Sequence, residues 1–180
     1  EIQPDDTLHI GMDFNVGKMA AVVYVLRGNE VHAVEEIAKG FDTPYMIDKI
    51  KTRDPSHKIY IYPDASGNNR KSRHASQTDI SLLNKAGFFV RVNGRNPAVK
   101  DRVNSTNAML LNSAGVRRMF VNLKNCKSFV ECLEKLVYYD KCEPNKKTGF
   151  DHMNDACTYP IAYLYPVNKP VVQRPRIGGT

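Results

Sequence analysis

Thr7-Leu8-His9-Ile10-Gly11-Met12-Asp13-Phe14 alternates in polarity and then carries a lone carboxylate into the turn residues Asn15-Val16-Gly17. Alternation over this length predicts a strand, and its apolar content makes it a central one. A carboxylate at the end of such a strand is costly to desolvate unless it is paired or holds a metal. Outward from this stretch, Lys18 to Leu26 is rich in Ala, Val and Tyr, and Val31 to Ile37 is a further apolar-patterned run. Arg27-Gly28-Asn29-Glu30 between them has hairpin-turn chemistry. Three antiparallel strands in succession follow.

After these strands the pattern changes. Thr43-Pro44 predicts a helix start, with Thr43 as N-cap and Pro44 at the first helical position, and Asp54-Pro55 ends it. Lys58 to Tyr62 alternates Ile and Tyr as a fourth strand. Ile80 to Ala86 carries a short helical pattern closed by Gly87, and Phe88 to Val92 is a fifth strand. Asn96-Pro97 opens a helix with Val99, Val103 and Ala108–Leu111 on its apolar side. Val116 to Val121 reads as a short strand or half of a hairpin. Ser128 to Tyr139 is amphipathic, with Phe129, Leu133, Leu136 and Val137 on one face, and a final helix begins near Asp151. The expected fold is α/β: a central mixed five-stranded sheet, three antiparallel strands and then alternating helices and strands, with helices on both faces. Residues 1–7 are read as a loose N-terminal segment, 8–165 as the domain and 166–180 as a flexible tail.

Three acidic motifs carry chemistry. Gly11-Met12-Asp13-Phe14 and Tyr62-Pro63-Asp64-Ala65-Ser66-Gly67 each end a strand on a carboxylate; either aspartate alone also suits a turn. Neighbouring positions for the first and fourth strands would bring Asp13 and Asp64 within reach of one ion. In Asp151-His152-Met153-Asn154-Asp155-Ala156 the two aspartates are at i and i+4, where like charges repel by a few tenths of a kcal/mol, and a cation between them would remove that penalty. Pro160 costs ~3 kcal/mol inside a helix, so the helix is expected to end or kink there. The pairing of Asp151 with Asp155 relies only on the turn before it.

The formal net charge of +7 favours a polyanionic partner. Cys126, Cys132, Cys142 and Cys157 form no Cys-x-x-Cys pair, which argues against structural zinc and for a reducing compartment. No apolar run reaches membrane-spanning length, and no Gly-x-x-x-x-Gly-Lys-Ser/Thr loop is present.

Asp151-His152-Met153-Asn154-Asp155-Ala156-Cys157-Thr158-Tyr159 resembles the closing motif, Asp-His-x-x-Asp-Ala-x-x-Tyr, of the nuclease domain of tailed-bacteriophage, podovirus-like terminase large subunits. Met12-Asp13-Phe14 and Tyr62-Pro63-Asp64 resemble that family's first two acidic motifs, and Val99-Lys100-Asp101-Arg102-Val103-Asn104-Ser105 a helix between the motifs. The similarity spans residues 8–165. It implies an RNase H-like fold and a metal-dependent DNA endonuclease that cuts concatemeric viral DNA during headful packaging. By the same resemblance Asp13 would bridge two Mg²⁺ or Mn²⁺ ions, Asp64 would ligate one and Asp155 the other, with Asp151 and His152 as auxiliary ligands or their supports. The implied partners are double-stranded DNA, an ATPase motor in the same full-length chain, the portal protein and the small terminase subunit. The implied location is the host cytoplasm, outside the finished virion.

Phosphate contacts need positive charge beside the carboxylates. Arg70, Lys71, Arg73 and His74 follow Asp64 in a polar stretch, 66–78, expected to be mobile. Lys100, Arg102, Arg117, Arg118, Lys146 and Lys147 complete the candidates. Two alternatives stand beside this reading. One is another RNase H-like nuclease, such as a junction resolvase or a ribonuclease H. The other is a non-catalytic nucleic-acid-binding module whose carboxylates are caps and turns.

Overall fold

The computed structural model describes residues 1–68, 78–137, 145 and 149–167. In chain order the elements are β1 (Thr7–Asp13), β2 (Met19–Arg27), β3 (Glu30–Gly40), α1 (Thr43–Arg53), β4 (Lys58–Pro63), a 3-10 turn (Ala65–Asn68), α2 (Asp79–Lys85), β5 (Phe89–Val90), α3 (Val99–Leu110), β6 (Met119–Val121), α4 (Lys127–Lys135) and α5 (Asp151–Leu164). They form one mixed sheet in the order β5-β4-β1-β2-β3-β6. β1 pairs antiparallel with β2 and parallel with β4, so the C-terminal ends of β1 and β4 lie side by side at one end of the sheet.

The sheet has six strands rather than the expected five. Met119–Val121 is the sixth, and it pairs parallel with Val31–Ala33 of β3 instead of folding into a hairpin. Pairing there satisfies the backbone along an edge that β3 would otherwise leave open. β5 shrinks to two residues.

Period-two alternation sorts the strand residues onto two cores. Leu8, Ile10, Met12, Val23, Ile59 and Ile61 pack with Met46, Ile50 and Leu83 of α1 and α2. On the other face, Val22, Tyr24 and Val31 pack with Met109, Phe129, Cys157 and Ile161 of α3, α4 and α5. Each fully buried aliphatic or aromatic side chain contributes about 1.5–3 kcal/mol.

Several element ends differ from the sequence expectation, each for a local reason. Asp42, not Thr43, caps α1 by accepting from the Tyr45 N–H at 2.8 Å. Thr43 instead donates to Asp79 Oδ1 at 2.7 Å and ties α1 to α2. α3 begins at Val99 rather than at Asn96-Pro97; of the apolar side expected of it Met109 is fully buried, and Arg102, Ser105 and Thr106 are buried with it. α4 stops at Lys135, and its inner face is Phe129 and Cys132, while Leu133 and Val137 are exposed. The segment before β1, read as loose, is tied down. Arg27 donates twice to the Asp6 carboxylate, and His57 Nδ1 lies 2.9 Å from the Asp6 carbonyl oxygen.

The largest departure is at Pro160, where α5 continues for another turn. Proline removes the donor that would pair with the Ala156 carbonyl. That carbonyl faces the backbone of Gly11 in β1, where a Cβ would overlap both it and the Pro160 ring. A glycine under the proline therefore lets α5 lie directly on β1, and the freed carbonyl meets strand backbone instead of an apolar side chain.

Candidate active site

The last residue of β1 is Asp13, which is only 6% exposed. The β1–β4 ladder extends by one bond from the Asp64 N–H to the Met12 carbonyl oxygen at 3.1 Å, which sets Asp64 beside it. Gly67, in the turn after Asp64, packs so closely on the Phe14 ring that a Cβ would overlap it. Both strand ends are thereby pinned. The third carboxylate, Asp155, comes from α5, held over β1 by the Gly11–Pro160 contact.

Each carboxylate commits one oxygen to the protein. Asp13 Oδ2 lies 3.0 Å from His152 Nδ1, and Asn15 Nδ2 lies 2.7 Å from His152 Nε2. Asp64 Oδ1 accepts from Asn96 Nδ2 at 2.6 Å and from the Ser66 N–H at 2.7 Å. Asp155 Oδ1 accepts from Arg102 Nη1 at 2.8 Å. Among the hydrogen bonds between described residues, Asp13 Oδ1, Asp64 Oδ2 and Asp155 Oδ2 take none.

Asp13 carries the electrostatic signature of the cluster. Its pKa is pushed up to about 7, chiefly by burial and next by the Asp155 charge; Asp64 adds to the rise and His152 opposes it. Negative charge here is under-compensated, which is the condition a cation relieves. Among the described residues no three His, Cys, Asp or Glu side chains already stand as a ligand group, and each carboxylate faces a donor of its own. The donor set, oxygens with one imidazole, suits a hard divalent ion such as Mg²⁺ or Mn²⁺.

The structure brings Asp13, Asp64, Asp155 and His152 together. Asp151 stands apart from them: its carboxylate is 4.0 Å from His152 Nε2, and its charge is felt at Cys132 of α4 and does not figure in the shift of Asp13. At Asp155 the i, i+4 repulsion from Asp151 is offset by the guanidinium of Arg102.

That arginine corrects a second expectation. Arg102, taken from sequence as a phosphate contact, is 4% exposed. It also donates to Thr158 Oγ1 at 2.9 Å and stacks on Tyr159 at 4.5 Å, so three residues of one α5 face hold it. A guanidinium desolvated this far persists because it is paired and stacked. Arg117 and Arg118 do not border the carboxylates either. They precede β6, whose Met119 pairs with Val31 at the opposite end of the sheet. Six residues of β2 separate the level of Asp13 from the level of Val31, about 20 Å along the strands. Lys100 is exposed on the first turn of α3. Arg70, Lys71, Arg73, His74, Lys146, Lys147, Cys142 and the tail beyond 167 lie outside the described residues, as does most of the 66–78 stretch.

Sequence reasoning missed Asn15, Asn96 and the exposed Arg91 and Arg95. Asn15 follows Asp13 by two residues and was visible by proximity. Asn96 sits in Gly94-Arg95-Asn96-Pro97, which reads equally well as a helix start.

Residues 10–164 match the family described as the terminase RNaseH-like domain. No curated protein matches the sequence. Among solved structures, the large terminase of the thermophilic bacteriophage D6E is 19% identical with a TM-score of 0.65, covering 91% of this chain and 41% of its own. The nuclease domain of the bacteriophage P22 large terminase is 15% identical with a TM-score of 0.63, covering 92% of this chain and 86% of its own. The nuclease domain of the bacteriophage SPP1 large terminase, solved with bound Mn, is 16% identical with a TM-score of 0.61, covering 88% of this chain and 86% of its own. This chain thus spans about two-fifths of the D6E protein, and the shared architecture is the RNase H-like fold.

Proposed function

The chain belongs to the terminase RNaseH-like domain family, and from that premise we propose that it is a metal-dependent endonuclease that cuts concatemeric viral DNA during genome packaging. The observation that carries this reading is the convergence of Asp13, Asp64 and Asp155 from β1, the end of β4 and α5, with the Asp13 pKa raised to about 7 by burial and by its acidic neighbours. The bound Mn in the SPP1 nuclease domain supports divalent-ion use.

Asp13, Asp64 and Asp155 would hold two ions of Mg²⁺ or Mn²⁺, with Asp13 shared, and His152 as an auxiliary ligand or support. When bound, such a pair supplies a water nucleophile at neutral pH and stabilises the leaving 3′-oxygen in an in-line displacement. The protein supplies orientation. Asn96 and the Ser66 N–H turn Asp64, Arg102 turns Asp155, and His152, braced by Asn15, turns Asp13.

On the same reading the partners are double-stranded DNA, an ATPase motor in the full-length chain, the portal protein and the small terminase subunit, and the work is done in the host cytoplasm. The test is cleavage of supercoiled plasmid by wild type and Asp13→Ala with Mg²⁺, Mn²⁺ or EDTA. Metal-dependent nicking or linearisation lost in the variant is the expected result. Metal-dependent cleavage that survives in Asp13→Ala would overturn the assignment.

A further inference from the structure

Among the described residues, one strip of the sheet carries no helix. α5 crosses β1 and β2 and meets β4 at the Tyr62 end, where Tyr163 packs on Tyr62 with ring centroids 5.2 Å apart. From that point the same face of β4, β1 and β5 carries a row of rings that runs from the buried Tyr62 outward to the sheet edge. Tyr62 lies 5.7 Å from His9, His9 5.5 Å from Tyr60, and Tyr60 5.3 Å from Phe89. Phe89 closes the row on the sheet edge and is 48% exposed.

The row is bordered by cations. Lys58 Nζ is 5.2 Å from the Tyr60 centroid and 5.3 Å from that of Phe89, and the Arg91 guanidinium is 5.1 Å from Tyr60. Both cations are exposed, and among the described residues neither has a carboxylate partner. Rings with positive charge free of any carboxylate, at the exposed edge of a sheet, are the elements of a stacking platform for unpaired bases. A duplex hides its base faces and could use only the cations.

This strip and Asp64 lie on one strand, with Tyr62, 3% exposed beneath Tyr163, between them. Asp64, Tyr62, Tyr60 and Lys58 are two residues apart in turn, so they follow one face of β4 and its end. Tyr60 stands about 13 Å from Asp64 at ~3.3 Å per residue, a span of about four nucleotides at the 3.4 Å rise of a stacked strand.

We propose that this strip binds a single unpaired DNA strand, stacking bases on Tyr60 and Phe89 and holding phosphates with Lys58 and Arg91. The proposal rests on the nuclease reading for the identity of that strand, but the binding itself requires no cleavage.

The experiment is a set of titrations of the whole chain in EDTA with a short single-stranded oligonucleotide carrying 2-aminopurine, and with the duplex of the same sequence. The expected result is a fluorescence change on binding the single strand. Phe89→Leu and Tyr60→Leu should weaken that binding about tenfold each and leave duplex binding within about twofold, whereas Phe89→Tyr, which keeps a ring, should bind as wild type. Arg91→Gln should flatten the salt dependence. Circular dichroism of each variant establishes that it is folded. Unchanged single-strand affinity in folded Phe89→Leu, or equal losses for single strand and duplex, would overturn the proposal and leave the strip as a protein-docking face. A chain that binds the single strand through these rings yet cuts no DNA with any ion refutes the proposed function alone.

Discussion

Asn96 Nδ2 donates to Asp64 Oδ1 at 2.6 Å, while its side-chain Oδ1 accepts from the Ala65 N–H at 2.8 Å. One loop residue thus fixes both the side chain and the following backbone of a proposed metal ligand. Partners of this kind typically contribute 10–100-fold to metal affinity or activity. Asn96→Ala is therefore expected to weaken Mn²⁺ binding and plasmid cleavage by about 10- to 100-fold with little change in stability. Calorimetric titration and an unfolding curve on the same protein check both halves.

Arg102 and Asp155 form a second such pair, in this case a desolvated one. Removing one member of a buried pair costs about 3–5 kcal/mol because the other charge is stranded. Asp155 keeps 28% of its side-chain surface, so the expected loss for Arg102→Ala is at the low end, about 3 kcal/mol. Urea unfolding measures it. Arg102→Lys should recover only part, since lysine cannot donate to Asp155 and Thr158 while stacking on Tyr159.

The raised pKa of Asp13 has a thermodynamic counterpart. The folded state retains a proton that the unfolded chain releases near pH 3.8, so this group's contribution to stability is lost as pH climbs from about 4 to about 7. The full displacement corresponds to at most about 4 kcal/mol. In EDTA, Asp13→Asn should therefore raise Tm at pH 8 and leave it nearly unchanged at pH 4. Wild type should gain stability from Mn²⁺ at pH 8, and the variant should lose that gain. Thermal melts at the two pH values give the answer.

Gly11 bears on the fold and the site together. Any side chain there meets the Ala156 carbonyl and the Pro160 ring, and α5 must back away from β1, carrying Asp155 with it. Overpacking of this kind costs about 1–3 kcal/mol, occasionally more. Gly11→Ala is expected to lose about 3 kcal/mol in urea unfolding and to cut DNA poorly even below its melting temperature. Normal stability in that variant would remove the account of how Pro160 is accommodated.

How far the molecule could be read from its sequence depends on which signals are local. The first three strands and β4 follow from alternation and from turn residues such as Gly28, which are properties of neighbouring positions. Asp13 and Asp64 stood out because a carboxylate ending an apolar strand is anomalous within its own segment. Arg102 gave no such signal, because a lone arginine on a helix looks the same whether it faces solvent or the Asp155–Tyr159 face of another helix. The packing of α3 on α5 decides between them. Pro160 and Gly11 were each conspicuous, but only the crossing of α5 over β1 shows that one accommodates the other. β6 was ambiguous for the same reason: its partner in β3 is remote in the sequence and pairs in parallel.

The central claim is that Asp13, Asp64 and Asp155 form one cation-binding centre, and Mn²⁺ titration of wild type, Asp13→Asn, Asp64→Asn and Asp155→Asn at pH 8 tests it most directly. The account predicts saturable binding in wild type and a loss of affinity in every variant, largest for Asp13. Undiminished binding in any one of the three variants would contradict it.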